Sequence, residues 1–146
     1  AAVSSHTIQI ERPIEDVFAV LTDVTLTGPW FPLEVEEWWL TPPPHAVGSV
    51  RRARASVLGR SAENDAVVTA YEPPRLAAIR GTPPRSPFEA TLRLAPADGG
   101  TRVDVDIEML LGGVLRPIGA LFGRWYGGLW ERGLVALKRM MEAGEL

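Results

Sequence analysis

The residues in this chain that could act on a small molecule are arginines, tryptophans and scattered acids. Arg51-Arg52-Ala53-Arg54 lies in an alternating segment, so Arg52 and Arg54 share one face and Arg51 takes the other. An arginine inside an apolar site has to meet an anion or a carbonyl, because a lone buried charge is costly. Arg52, Arg54, Asn64, Arg80 and Tyr126 are the polar set that could meet such a ligand. The plainer arrangement is solvent-facing arginines paired with acids on neighbouring strands. Trp30, Trp38, Trp39, Trp125 and Trp130 are a heavy tryptophan load for 146 residues. Trp38 and Trp39 serve opposite faces of one strand, so at least one points inward, and flat aromatic walls suit a polycyclic or isoprenoid ligand. Ordinary core packing would use the same side chains.

Other candidates are weaker. Glu34, Glu36 and Glu37 flank the tryptophans, and paired carboxylates can act as acid and base, but nothing in the spacing brings two of them to one site. We read them as a solvated strand edge. His6 shares parity with Ile8 and Ile10 and leans toward the dry face near a strand end, where acid–base work would need a partner within hydrogen-bond reach. The chain has no cysteine and two histidines, His6 and His45, so we expect no metal site and no cofactor.

These groups have to be held by elements that the hydrophobic periods define. Val3 to Glu11 alternates as a half-buried strand, and Pro13 then opens a short helix to about Leu21, with Ile14, Val17, Phe18 and Leu21 on its dry side. Alternation and turn signals mark further strands over Val35 to Leu40, Gly48 to Leu58, Ala62 to Glu72, Arg75 to Arg80, Phe88 to Leu94 and Thr101 to Leu111. Gly81 to Pro87 reads as a turn-rich connection and Asp98-Gly99-Gly100 as a hairpin turn. After Gly112-Gly113 the period changes to 3.6. Leu115, Ile118, Phe122, Trp125, Leu129, Gly133, Leu137 and Met140 make one stripe of a helix about 40 Å long.

An unbroken run of antiparallel strands cannot cover its own dry face, and this helix is the only element long enough to do it. The expected fold is α+β: a curved antiparallel sheet of six to seven strands wrapped around a long C-terminal helix, as one domain over residues 1–146. A convex helix leaves a hollow against a concave sheet. We expect Trp38, Phe88, Met109, Phe122, Trp125 and Leu129 to line that hollow, with Arg52, Arg54, Asn64 and Tyr126 as its polar groups. Gly119, Gly123 and Gly127 recur every four residues in the helix, each costing up to about 1 kcal/mol relative to alanine. They have to be explained by close approach, by ligand space or by a gap at the cavity mouth.

The charge balance of 15 basic to 18 acidic residues, net −3 and scattered, argues against a nucleic-acid surface. Lys138 is the sole lysine, which we read as GC-rich bacterial base composition. Met109 to Phe122, the most apolar stretch, is broken by Arg116 and Pro117, so no integral membrane segment is expected. With no leader pattern at Ala1-Ala2-Val3, the expected location is cytoplasmic.

Taken in order, these residues carry a resemblance. Arg12-Pro13-Ile14-Glu15-Asp16-Val17-Phe18 with Leu21-Thr22-Asp23, then Trp30-Phe31-Pro32, Val47-Gly48-Ser49, Tyr71-Glu72-Pro73-Pro74-Arg75-Leu76 and Gly99-Gly100-Thr101-Arg102-Val103 resemble the polyketide cyclase/dehydrase and lipid-transport superfamily. These are START-like, helix-grip proteins related in fold to the Bet v 1 allergens. The Gly-rich loop of the plant members and the paired histidines of an iron or Rieske-linked site are absent. The resemblance implies a small hydrophobic ligand such as a lipid, quinone or polyketide. It leaves two alternatives: a polyketide cyclase, aromatase or dehydratase, whose cavity polar groups would orient carbonyls and stabilise enolates, or an interaction module like the chaperone co-activators. A homodimer stays open.

Overall fold

A computed structural model describes residues 3–82, 88–110, 114 and 116–146. Most of the Gly81-to-Pro87 connection, Leu111, the Gly112-Gly113 break, Leu115 of the expected stripe and the surroundings of Gly119 lie outside what is described. Strand β1 (Val3–Ile10) leads into helix α1 (Ile14–Thr22), a 3-10 turn (Val24–Leu26) and a short helix α2 (Thr27–Trp30). Strands β2 (Glu34–Trp39), β3 (Val50–Val57), β4 (Arg60–Glu72), β5 (Leu76–Gly81), β6 (Phe88–Ala97) and β7 (Gly100–Met109) follow, and helix α3 (Arg116–Glu142) closes the chain.

The strands form one antiparallel sheet in the order β1-β7-β6-β5-β4-β3-β2. β2 to β7 is a meander in which each strand turns back to pair with the next in the chain. Leu58-Gly59 and Asp98-Gly99 make two of those turns with both residues at positive φ, the geometry that matches strand twist. β1 joins the far edge beside β7, pairing Ile8 with Val103 and Ile10 with Thr101.

The two sheet faces differ in chemistry. The outer face carries cross-strand ion pairs, Arg52–Asp65 at 2.7 Å, Arg54–Glu63 at 3.3 Å, Arg80–Glu89 at 3.7 Å and Arg93–Asp106 at 2.8 Å. The concave face buries Leu94, Val103, Val105 and Ile107 against Val17 and Phe18 of α1 and Leu134, Leu137 and Met141 of α3. The C-terminal half of α3 is tied to the end of β1. Lys138 Nζ donates to the Gln9 carbonyl (2.5 Å) and to Glu142 (2.7 Å), the Glu11 N–H donates to Glu142 (2.9 Å), and Arg12 donates to the Met141 carbonyl (2.7 Å).

The expected stripe of α3 meets the core in its C-terminal half, where Leu129, Gly133 and Leu137 are buried, but not in its N-terminal half. Gly123, Gly127, Gly133, Leu134, Leu137 and Met141 are buried, while Ile118 and Trp125 are 58% and 43% exposed. The glycines explain the difference. A Cβ at Gly127 would overlap the Ser4 hydroxyl and come within 3.4 Å of His6 Nε2; one at Gly123 would lie 3.1 Å from Met109; one at Gly133 would lie 3.2 Å from Trp30. The helix backbone is seated directly on β1, Met109 and Trp30, and larger residues are turned to the flanks.

Candidate functional site

Seating α3 by its glycines on β1 and at Met109 leaves the concave face of β2 to β6 without a lid of its own. That face is built from small residues: Ala53 and Ala55 on β3, Ala66 on β4, Ala77 on β5 and Ala90 on β6. Methyl groups cannot reach the helix across a curved sheet, and a cavity of about 800 Å³ remains. It falls within the range of small-molecule pockets. α1 and α2 close one side, and Phe122, Tyr126 and Trp130 of α3 close another.

The helix-side wall is aromatic. Phe31 packs edge-on against Trp130 at 5.4 Å between centroids, Phe88 lies 5.6 Å from Tyr126, and Phe122 stacks on Tyr126 at 5.9 Å. These separations suit offset and edge-to-face contacts. On the opposite wall Trp39 stacks on His45 at 3.9 Å.

An ion pair enters this space. Glu37 of β2 and Arg51 of β3 point inward, Arg51 Nη1 lying 3.2 Å from Glu37 Oε2. The Glu37 side chain is only 6% exposed and that of Arg51 21%. The pair is in charge contact, yet Glu37 Oε2 is buried without a hydrogen bond, as the indole N–H groups of Trp30 and Trp130 are without a well-formed one. Tyr126 is nearby. Burial pushes its hydroxyl above the ordinary tyrosine value, and the Glu37 carboxylate adds to the rise, against opposing effects of the Trp130 N–H and Arg51.

Of the residues expected to line the hollow, the structure brings Asn64, Phe88, Phe122 and Tyr126 to the cavity wall. The others lie elsewhere. Arg52 is on the outer face, where Nε and Nη2 grip the two Asp65 oxygens at 2.7 and 3.1 Å. Arg54 is beside it, bound to Glu63 and resting 5.8 Å from the Trp38 ring centre, so Trp38 is an outer-face residue too. Arg80 pairs with Glu89 in the same ladder. Met109 is buried under Gly123, Leu129 is buried away from the cavity wall, and Trp125 is exposed beside Phe122. His6 faces α3, hydrogen-bonded to Ser4 Oγ at 2.7 Å, and does not reach the cavity.

Glu37, expected on a solvated strand edge, and Arg51, expected opposite the arginines of the hollow, thus both lie on the cavity face. The signal for them was the alternation of β3 itself. Arg52, Arg54 and Ser56 make its polar face, Ala53 and Ala55 its apolar one, and Arg51 has the parity of the alanines. The register pairing Trp39 with Arg51 and Glu37 with Ala53 carries the same face across β2.

Residues 1–142 match the model of the family described as polyketide cyclase / dehydrase and lipid transport. The chain belongs to that family. No protein of curated function matches the chain in sequence. Among solved structures the chain has counterparts of similar fold. The Polyketide_cyc-like protein Cgl2372 from Corynebacterium glutamicum is 24% identical with a TM-score of 0.70, covering 97% of this chain and 92% of that one. Protein NE0264 from Nitrosomonas europaea is 17% identical with a TM-score of 0.76 over 98% and 96%. The Aha1 dimer from Colwellia psychrerythraea is 17% identical with a TM-score of 0.67 over the full length of both chains. All three share the curled sheet gripping a C-terminal helix. Among the described residues no group of acids and histidines could hold a metal ion, and no helix is long and apolar enough to cross a membrane.

Proposed function

We propose that this chain binds a small hydrophobic molecule in the cavity between its sheet and α3, and serves as its carrier. The observation that carries this reading is the cavity of about 800 Å³, walled by alanines and by stacked aromatics rather than filled by side chains. A folded interior normally packs without voids larger than a water molecule, so a hollow of this size is what a ligand site requires. The test is saturable quenching of tryptophan emission by an apolar aromatic ligand in wild type and in Ala66→Phe, whose ring would occupy the hollow. One-to-one binding lost in a folded Ala66→Phe supports the reading. Equal binding to both, or none to wild type, refutes it.

Cyclase or dehydratase chemistry is a reading of the same cavity. The family description favours it, and it would fall to Tyr126, Arg51 and Glu37 rather than to Arg52 and Arg54, which face solvent. A separate reading, not tied to a ligand, concerns the exposed flank of α3. Ile118, Leu121 and Trp125 are 58%, 67% and 43% exposed and adjoin Phe122 at the cavity wall. We assign this face to a second copy of the chain, in line with the dimer solved for the similarly folded Colwellia protein.

A further inference from the structure

Within the cavity, one arrangement is not explained by holding an apolar body. Glu37 and Arg51 form an ion pair on the part of the wall that β2 and β3 otherwise make from Val35, Trp39, Ala53 and Ala55, while the other acids of the lining, Glu15, Asp23 and Asp65, lie on other elements. A buried ion pair is commonly no more stable than two apolar residues of the same volume, because desolvation offsets the attraction. Blunting the edge of the sheet is one use for an inward charge on an edge strand, and β2 is an edge strand. That use requires only a charge. It does not require an arginine from the next strand brought to 3.2 Å, nor an acceptor oxygen left without a hydrogen bond.

The hydrogen-bonding capacities left over are complementary. An ionised carboxylate only accepts, so Glu37 Oε2 has room for a donor. A guanidinium only donates, through five N–H groups in a rigid fork, and the 3.2 Å contact engages one nitrogen of Arg51. Donor and acceptor sites thus stand side by side, at the spacing of two oxygens on neighbouring carbons. Resting on the binding function proposed above, we propose that Glu37 and Arg51 are the polar anchor of the cavity, and that its ligand is an apolar ring system bearing a hydroxyl beside a carbonyl. The hydroxyl donates to Glu37 Oε2 and the carbonyl accepts from Arg51. The ring body lies along Tyr126, Phe88 and Trp130.

The experiment compares two ligands that differ in one group, 2-hydroxy-1-tetralone and 1-tetralone, by fluorescence titration and calorimetry. The protein is wild type and the double variant Glu37→Leu/Arg51→Met, which exchanges the pair for apolar residues of similar size and so should keep the fold. Wild type should bind the hydroxy ketone about tenfold more tightly than the plain ketone, the worth of one hydrogen bond to a charged group. The double variant should bind both with the same Kd. A wild type that binds both ketones equally, or a double variant that keeps the preference, overturns the anchor while leaving the cavity as a binding site. If wild type binds neither compound, the binding reading falls and the anchor with it. Should the double variant not fold, Glu37→Gln replaces it: losing the carboxylate charge should shrink the preference at least about threefold, and an unchanged preference overturns the anchor.

Discussion

Two adjacent glycines in α3 make opposite predictions. Replacing a helical glycine by alanine gains about 1 kcal/mol from backbone entropy and solvation when nothing obstructs the new methyl. At Gly128 nothing lies within 4 Å of that methyl, so Gly128→Ala should realise the gain, raising Tm by about 2–4 °C for a domain of this length. At Gly127 the same methyl overlaps the Ser4 hydroxyl and lies 3.2 Å from Ser4 Cβ. The hydroxyl cannot turn away without giving up its 2.7 Å hydrogen bond to His6. Overpacking costs about 1–3 kcal/mol and the hydrogen bond about 1, against the same gain of about 1. Gly127→Ala should therefore destabilise by about 2 kcal/mol, a fall of about 4–8 °C. Adding Ser4→Ala removes the colliding oxygen, and the double variant should recover more than about 1 kcal/mol relative to the sum of the singles. Urea unfolding followed by circular dichroism measures all four. The sites also differ in tryptophan emission, since lifting α3 at Gly127 displaces Trp130. Equal stabilisation at Gly127 and Gly128 would refute the seating of α3 on β1, and with it the account of why the cavity opens on the other side.

Three further outcomes follow from the site and its supports. The raised Tyr126 hydroxyl holds its proton more tightly in the folded protein. Its contribution is thus complete below the unfolded tyrosine value of about 10 and is lost as pH rises beyond it. Tyr126→Phe should flatten the decline in urea midpoint above about pH 10. Glu142 has the opposite sign: hydrogen bonds from Lys138 and from the Glu11 N–H hold its carboxyl below the usual glutamate range. Its contribution is present above about pH 4.3 and lost as pH falls, so Glu142→Gln should show a shallower acid unfolding limb. Trp125→Glu places a charge on the exposed flank of α3, and sedimentation velocity should show wild-type dimers shifting to monomers. A monomeric wild type at 100-fold range of concentration on the order of 1–100 μM would remove the self-association reading.

The elements were legible because their periods are clean. Val103, Val105, Ile107 and Met109 alternate with acids and arginine, and all four are buried. The faces of the short strands were less legible. In β3 the eye goes to three arginines, but what decides the fold is Ala53 and Ala55, which contribute little hydropathy and much space. The same blindness applied to α3. In the N-terminal half a stripe drawn through Ile118, Phe122 and Trp125 follows large apolar side chains, whereas the buried line there runs through Gly123 and Gly127, whose value lies in having no side chain. Hydrophobic periodicity measures what residues would gain by burial. It does not register positions chosen for absence of volume, and such positions make the sheet wall of this cavity and seat the helix beside it.

That division of labour along α3 is also what lets the protein tolerate a hollow. Leu134, Leu137 and Met141 are fully packed against β1, β7 and α1, and Lys138, Glu142 and Arg12 tie the helix end to the chain after β1. The stabilising contacts are concentrated there. The preceding half of the helix has glycines on the sheet side and Phe122, Tyr126 and Trp130 beside the cavity. Removing a buried methylene from the C-terminal half should therefore cost stability without changing ligand affinity, since the packed half has no cavity residues to displace. Leu137→Ala is the direct case: a large loss of about 2–5 kcal/mol from a side chain with no exposure, and an unchanged Kd in whatever fraction remains folded. A Kd that weakens in proportion to the lost stability would mean that the two halves of α3 act as one unit, and that the cavity is held open by the whole core rather than by the small residues facing it.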